Sequence, residues 1–208
     1  MIKASILGAT GYAGIELVRL LHNHPNVELN YLVSQSNAGQ SISCVYPSLK
    51  GILDKTCSPL DLDRILQESD IIFTSLPHGT SAQVISTLYD SGKKIIDLSG
   101  DFRYRCVQVY EKWYGTSHTR PDLLQESVYG LPELHRNDIK HYRLIGNPGC
   151  YPTCAILALA PLVAKGFIDL KSIIIDAKSG ATGAGKGLSL GLHFCELDQN
   201  TRAYKVAT

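Results

Sequence analysis

Cys150 is the residue best placed to do chemistry, within Gly146-Asn147-Pro148-Gly149-Cys150-Tyr151-Pro152-Thr153-Cys154. This stretch follows the apolar pair Leu144-Ile145 and leads into an apolar run from Ala155 to Ala164. It reads as strand, tight turn and helix start. Pro152 suits the first helical position, where its missing N–H has no intrahelical use. Cys150 then stands just outside a helix N-terminus, where orphan N–H groups and the helix dipole favour a thiolate, and a thiolate is a nucleophile. A buried, inert thiol is the competing reading.

A second chemical signal lies near the N-terminus. Ile2 to Leu7 is a short apolar strand, followed at once by Gly8-Ala9-Thr10-Gly11-Tyr12-Ala13-Gly14 and then by the helical pattern Ile15, Leu17, Val18, Leu20, Leu21. Three glycines between a strand and a helix suit a turn that brings backbone N–H groups against a pyrophosphate. Gly8, Thr10, Gly11, Tyr12, Ala13 and Gly14 are therefore the expected cofactor contacts. The second strand, Val27 to Val33, ends without the acid that would grip a ribose 2′-hydroxyl, since no Asp or Glu occurs between Glu28 and Asp54. Hydroxyls at Ser34 and Ser36 tolerate or bind a 2′-phosphate, which favours NADP(H).

The elements that must position these residues follow from periodicity. Asp70 to Leu76 and Lys94 to Ser99 are further buried strands, and between them a helix runs from Thr80, read as its cap, to about Ser91, ended by Gly92. Strands alternating with helices predict an α/β fold with a parallel sheet. Ligands of such sheets gather at the carboxyl ends of strands, which places Pro77 and His78 near a cofactor and Arg103 near a phosphate or carboxylate. For His78 a turn role bonded to backbone is the alternative, and for Arg103 a solvated surface role. Tyr110, Trp113 and Tyr114 read as packing, Tyr129 to Leu134 as a compact turn with Glu133 solvated, residues 38–59 as irregular, and Ser172 to Ala177 as a strand. The loop Ser179-Gly180-Ala181-Thr182-Gly183-Ala184-Gly185-Lys186 resembles a phosphate cradle, but Gly187 stands where a P-loop needs a magnesium-binding hydroxyl, which excludes an NTPase.

Composition narrows the function classes. The chain has 208 residues, 44% of them hydrophobic, and a net charge of +1 without long runs of either sign. That argues against nucleic acid or an anionic membrane as partner. The N-terminus lacks a signal peptide's apolar stretch, no segment has the length of a membrane span, and six scattered cysteines fit reduced thiols in a cytoplasm. Cys150 and Cys154 could face one side of a helix, but no second ligand pair has zinc spacing, so no metal is expected.

Taken together, GATGYAG at 8–14, LPHG at 76–79, DLSGDFR at 97–103, YGLPEL at 129–134, GNPGCYPT at 146–153 and SGATGAGK at 179–186 resemble the N-acetyl-γ-glutamyl-phosphate reductase family, relatives of aspartate-semialdehyde dehydrogenase. The resemblance covers nearly the whole chain, with six motifs in the family's order. It implies an NADP-binding Rossmann domain over 1–149, then the start of an α+β catalytic domain over 150–208. It also implies Cys150 as nucleophile, an acyl-phosphate substrate met by Arg103 and Asn147, cofactor or substrate contacts from Ser179, Gly180, Thr182 and Gly183, and a homo-oligomer at full length. Family members continue past this point and carry an acid–base histidine soon after the position of Thr208, so the chain is expected to be an N-terminal portion. Gln35 stands where an arginine is common in the family. Reductases of aspartyl or aminoadipyl phosphate, and a non-catalytic dinucleotide-binding form, are the alternatives.

Overall fold

The strand segments are nearly continuous aliphatic runs, which a sheet can bury only when both faces are covered. The computed structural model, which describes residues 1–203, has this arrangement. Strands β1 (Ile2–Leu7), β2 (Val27–Val33), β3 (Ile71–Thr74), β4 (Lys94–Asp97), β5 (Ser127–Tyr129) and β6 (Leu144–Gly146) form one six-stranded sheet. Their order is β2-β1-β3-β4-β6-β5, with every pairing parallel. The chain runs outward from β1 to β2 and then crosses back to β3, so the topological switch point lies between β1 and β3.

Register decides where the loops emerge. Leu32, Ile6, Phe73, Ile96, Ile145 and Val128 pair in one row across all six strands, and the next row is Val33, Leu7, Thr74, Asp97, Gly146 and Tyr129. That second row holds the last residue of every strand. The strands end flush, and the loops that follow them leave from one edge.

Helices α1 (Tyr12–His22), α2 (Ile42–Val45), α3 (Leu62–Glu68), α4 (Thr80–Asp90), α5 (Val107–Tyr114), α6 (Pro132–Ile139), α7 (Cys150–Ala164) and α8 (Phe194–Leu197) occupy the connections and the C-terminal part. Ile15 and Val18 of α1 and Ile42 of α2 cluster with Ile6, Leu32 and Phe73. Ile65 of α3 with Ile85 and Leu88 of α4 cluster with Leu7, Ile72, Ile95 and Leu144. Neighbouring strand residues fall in different clusters because side chains alternate across a pleat, so each cluster seals one face.

Several expectations are corrected. Residues 172–177 form no strand: a single turn at Leu170–Ser172 gives way to irregular chain, with Ile174 91% and Ile175 60% exposed. A strand is held by its ladder, and no described segment pairs with this one. The Thr80 side chain does not cap α4, whose N-cap is Gly79 at φ +78°. The stretch 129–134 is no turn: Tyr129 ends β5, and Pro132 opens α6 at its first position. In the aromatic cluster, Tyr110 and Tyr114 pack as expected, whereas Trp113 is 70% exposed.

The described chain divides into a unit over Met1–Ile175 and a second from Asp176 onward. Within the first, α7 is apolar along its length yet buries no residue, leaving Leu157, Leu162 and Val163 exposed. The second holds short turns at Ala181–Ala184 and Leu190–Leu192, then α8. No described helix is long and apolar enough to cross a membrane.

Candidate active site

The glycine turn is built at the switch point. Gly8 adopts φ +86°, and a Cβ there would stand 2.2 Å from the Ser75 carbonyl oxygen, so only glycine lets the loops after β1 and β3 touch. A Cβ on Gly14 would stand 2.1 Å from the Gly8 oxygen, which fixes how closely α1 packs on the turn. Gly8 and Ala9 donate their N–H groups to Val33 O at 2.9 and 3.0 Å, securing the turn to β2. Gly11 is the N-cap of α1, with no side chain capping the helix and no acid in its first turn. Its first-turn N–H groups have no intrahelical acceptors, so Tyr12, Ala13 and Gly14 offer donors to an anion. The cradle fits a pyrophosphate.

Thr10 and Ser34 have a structural tie. Their hydroxyls meet at 2.7 Å, and Ser34 is only 4% exposed. Tyr46 Oη donates to Thr10 O at 2.8 Å. Ser36 is the exposed one of the two hydroxyls expected at a 2′-phosphate, and it accepts from Asn37 Nδ2 at 2.9 Å. Asn37 also reaches Thr10 and Ser34, at 3.3 and 3.4 Å. Sequence reasoning passed over it.

After β3 the chain turns at Pro77 and His78, both exposed. His78 Nδ1 accepts the Gly100 N–H at 2.7 Å, which leaves the neutral ring's proton on Nε2. The imidazole is thus tied to backbone, and its ring rests 4.9 Å from that of Tyr114. The first turn of α4 is occupied: Asp101 accepts the N–H groups of Gly79, at 2.8 Å, and of Ala82, at 3.0 Å. Tyr110 Oη donates to the same carboxylate at 3.0 Å. Of the longer helices starting at this edge of the sheet, α4 has its N-terminus filled by a buried carboxylate, while α1 and α7 have no side-chain cap and no acid in the first turn. The uncapped pair are those where the sequence places a cofactor anion and a thiolate.

Cys150 lies inside α7 as its first residue, after Gly149 as N-cap, so the helix begins two residues before Pro152. It is exposed, which sets aside the buried, inert reading. The turn before it is braced from two sides. Asn147 N donates to Asp97 O at 2.7 Å, and Arg103 Nε donates to Asn147 O at 2.7 Å while its Nη2 donates to Leu98 O at 2.9 Å. Arg103 is therefore part-buried and, among the described residues, makes no ion pair; it spans the loops after β4 and β6. The Asn147 side chain donates to Pro148 O at 3.2 Å.

Asp97 anchors the same edge. Fully buried, its carboxylate accepts Thr74 Oγ1 at 2.7 Å, Ser81 Oγ at 2.6 Å, Ser99 Oγ at 2.6 Å and Ser99 N at 3.1 Å. Burial pushes its carboxyl above the ordinary value, and these donors pull it back down. Neither Asp97 nor Asp101 was singled out from sequence. The available signal was two acids flanking a serine directly after a strand, in Asp97-Leu98-Ser99-Gly100-Asp101.

Ser179, Gly180, Thr182 and Gly183 belong to the second unit, as one exposed turn in which Gly183 N donates to Gly180 O at 3.0 Å. Among the described residues no three His, Cys, Asp or Glu side chains gather as a metal site.

Comparison with known proteins agrees with this layout. Residues 3–142 match the family model "Semialdehyde dehydrogenase, NAD binding domain", and residues 150–208 match "Semialdehyde dehydrogenase, dimerisation domain". The N-acetyl-γ-glutamyl-phosphate reductase of Acetivibrio thermocellus is 54% identical over 207 residues, and that of Halothermothrix orenii is 53% identical over 208. Each alignment takes in 100% of this chain and 60% of the relative, so the chain spans about 60% of the length of the curated relatives it matches. Among solved structures, aspartate semialdehyde dehydrogenase with NADP from Candida albicans shares the fold at TM-score 0.55 and 18% identity, covering 79% of this chain and 47% of that one. Aspartate semialdehyde dehydrogenase II from Vibrio cholerae does so at TM-score 0.58 and 19% identity, covering 79% and 43%. On the strength of both family matches, the chain belongs to the semialdehyde dehydrogenase family.

Proposed function

We propose that this chain carries the cofactor site and the nucleophile of an NADPH-dependent reductase that converts N-acetyl-γ-glutamyl phosphate to N-acetylglutamate 5-semialdehyde, a step of arginine biosynthesis. The observation that supports it most is the flush ending of the six strands, which sends the glycine turn and the Cys150 turn out of one sheet edge. The names of the relatives supply the substrate.

In this reading the Cys150 thiolate attacks the acyl-phosphate carbonyl, N–H groups at the start of α7 receive the oxyanion, and phosphate leaves a thioester. NADPH, when bound, supplies the hydride that takes the thioester to the aldehyde level. Gly8 to Gly14 hold the pyrophosphate, Ser36 with Ser34 behind it meets the 2′-phosphate, and Pro77 and His78 border the nicotinamide. Arg103 and Asn147 meet the substrate, and Ser179 to Gly183 contribute from the catalytic domain, which begins at Cys150. The full-length protein is a homo-oligomer of the cytoplasm, where six free cysteines stay reduced.

The test is to mix the chain with N-acetylglutamyl, aspartyl or aminoadipyl phosphate without NADPH and to follow intact mass. An acyl adduct from the first compound alone, mapped to Cys150 and absent in Cys150→Ser, is expected. An adduct on another cysteine removes Cys150 from its role, and a preference for another acyl phosphate reassigns the substrate. NADPH fluorescence enhancement without any adduct favours the non-catalytic form.

A further inference from the structure

The loop after β2 carries no charge. Residues 29–49 contain no Asp, Glu, Lys or Arg, although the end of the second strand is where a doubly wound fold reads the ribose of a dinucleotide. What the loop offers instead is three hydroxyls gathered on one amide, directly against the glycine turn. Asn37 Nδ2 lies 2.9 Å from Ser36 Oγ, 3.3 Å from Thr10 Oγ1 and 3.4 Å from Ser34 Oγ. Thr10 and Ser34 are buried and joined to each other at 2.7 Å, so Ser36 alone of the three is exposed. The backbone holds the amide in place: Asn37 O accepts the Gln40 N–H at 3.1 Å, and Gly39 N donates to Cys57 O and Cys57 N to Gln40 O, both at 2.8 Å.

We propose that Asn37 is a positioning residue that sets the choice of nucleotide: its amide N–H, donated to Ser36 Oγ, turns the Ser36 hydrogen outward as a donor to a 2′-phosphate, so that neutral groups select NADPH over NADH. The inference rests on the cofactor reading of the glycine turn above. A serine hydroxyl has one hydrogen and can accept or donate, and only the donor orientation meets an anion. An amide nitrogen donates only, so the Ser36 oxygen beside it is committed to accepting and its hydrogen is released for another partner. Aspartate, the residue that grips a ribose 2′-hydroxyl, has the shape of asparagine and the opposite polarity: at position 37 it takes the Ser36 hydrogen and sets a negative charge beside the phosphate.

The test is the ratio of the NADH to the NADPH dissociation constant, read by fluorescence titration of the chain, with an unaltered urea transition certifying the fold of each variant. Asn37→Ala is expected to lower the ratio roughly tenfold, the weight of one hydrogen bond to a charged group. Asn37→Asp, which keeps the shape, is expected to lower it further, because like charges now meet. In a Ser36→Ala background Asn37→Ala is expected to have no further effect, since Asn37 acts through Ser36. An unchanged ratio in Asn37→Asp, or an equal drop from Asn37→Ala in both backgrounds, overturns the proposal. A chain that binds neither nucleotide removes the cofactor reading and this inference with it, whereas one that binds both with a ratio indifferent to position 37 removes the inference alone. A second measurement isolates the 2′ position: adenosine 2′,5′-bisphosphate and adenosine 5′-monophosphate differ only by that phosphate. Asn37→Asp is expected to weaken the first, as a competitor of NADPH, at least about tenfold more than the second. Equal weakening of the two refutes the selection.

Discussion

The Asp101 carboxylate receives the N–H of Gly79 at 2.8 Å although the two residues are 22 apart in sequence. With Ala82 N at 3.0 Å, this gives α4 a cap from another loop, in place of a hydroxyl at its own start. Two consequences follow: α4 presents no anion site at this edge, and the loop carrying Arg103 is pinned to the helix after β3. Asp101→Ala is expected to cost about 2 kcal/mol or more, through the lost cap and the stranded Tyr110 phenol, and Asp101→Asn less. Urea unfolding measures both, and equal losses in the two variants contradict the capping role.

Gly8→Ala is expected to abolish NADPH fluorescence enhancement and to lower stability by about 1–3 kcal/mol, because alanine at φ +86° is strained and its Cβ runs into Ser75 O. Binding retained at wild-type strength contradicts the assignment of this turn.

Asp97 makes stability depend on pH in a direction opposite to most carboxylates. Burial raises its folded-state pKa above 3.8, so between the two values the fold holds a proton that the unfolded chain has released. The stabilisation is complete below 3.8 and is lost as pH rises through the folded-state value. Relative to Asp97→Asn, the wild-type chain is therefore expected to lose stability as pH rises above 3.8, measured by urea unfolding at each pH. A difference that stays constant or grows with pH contradicts this.

Core substitutions separate the sheet from helix α7. Ile85 on α4 is fully buried among Ile72, Ile95 and Leu144, so Ile85→Ala is expected to cost about 2–5 kcal/mol. Leu162 on α7 is 39% exposed, and Leu162→Ala is expected to cost under about 1 kcal/mol in this chain. Comparable losses at the two sites place a stabilising contact on α7 that the described residues lack.

The order of residues alone determined most of the frame. Aliphatic runs closed by Gly8, Pro77 and Gly146 mark strand ends because burial and backbone conformation are local constraints, and the glycine turn and the Cys150 turn are legible for the same reason. The three-residue β5 was missed because it is too short to show a period, and 172–177 was read as a strand because its pattern says nothing about whether a ladder partner exists.

Only the tertiary structure decided what joins the loops: Asp101 on α4, Arg103 on the Asn147 carbonyl, Ser34 turned inward to Thr10, and Asp97 under three hydroxyls. These partners lie 2 to 44 residues apart and meet because the strands share a register in which all six end together. A hydrogen bond between distant loops has no periodic trace in the chain, since its geometry is set by the sheet that separates its ends.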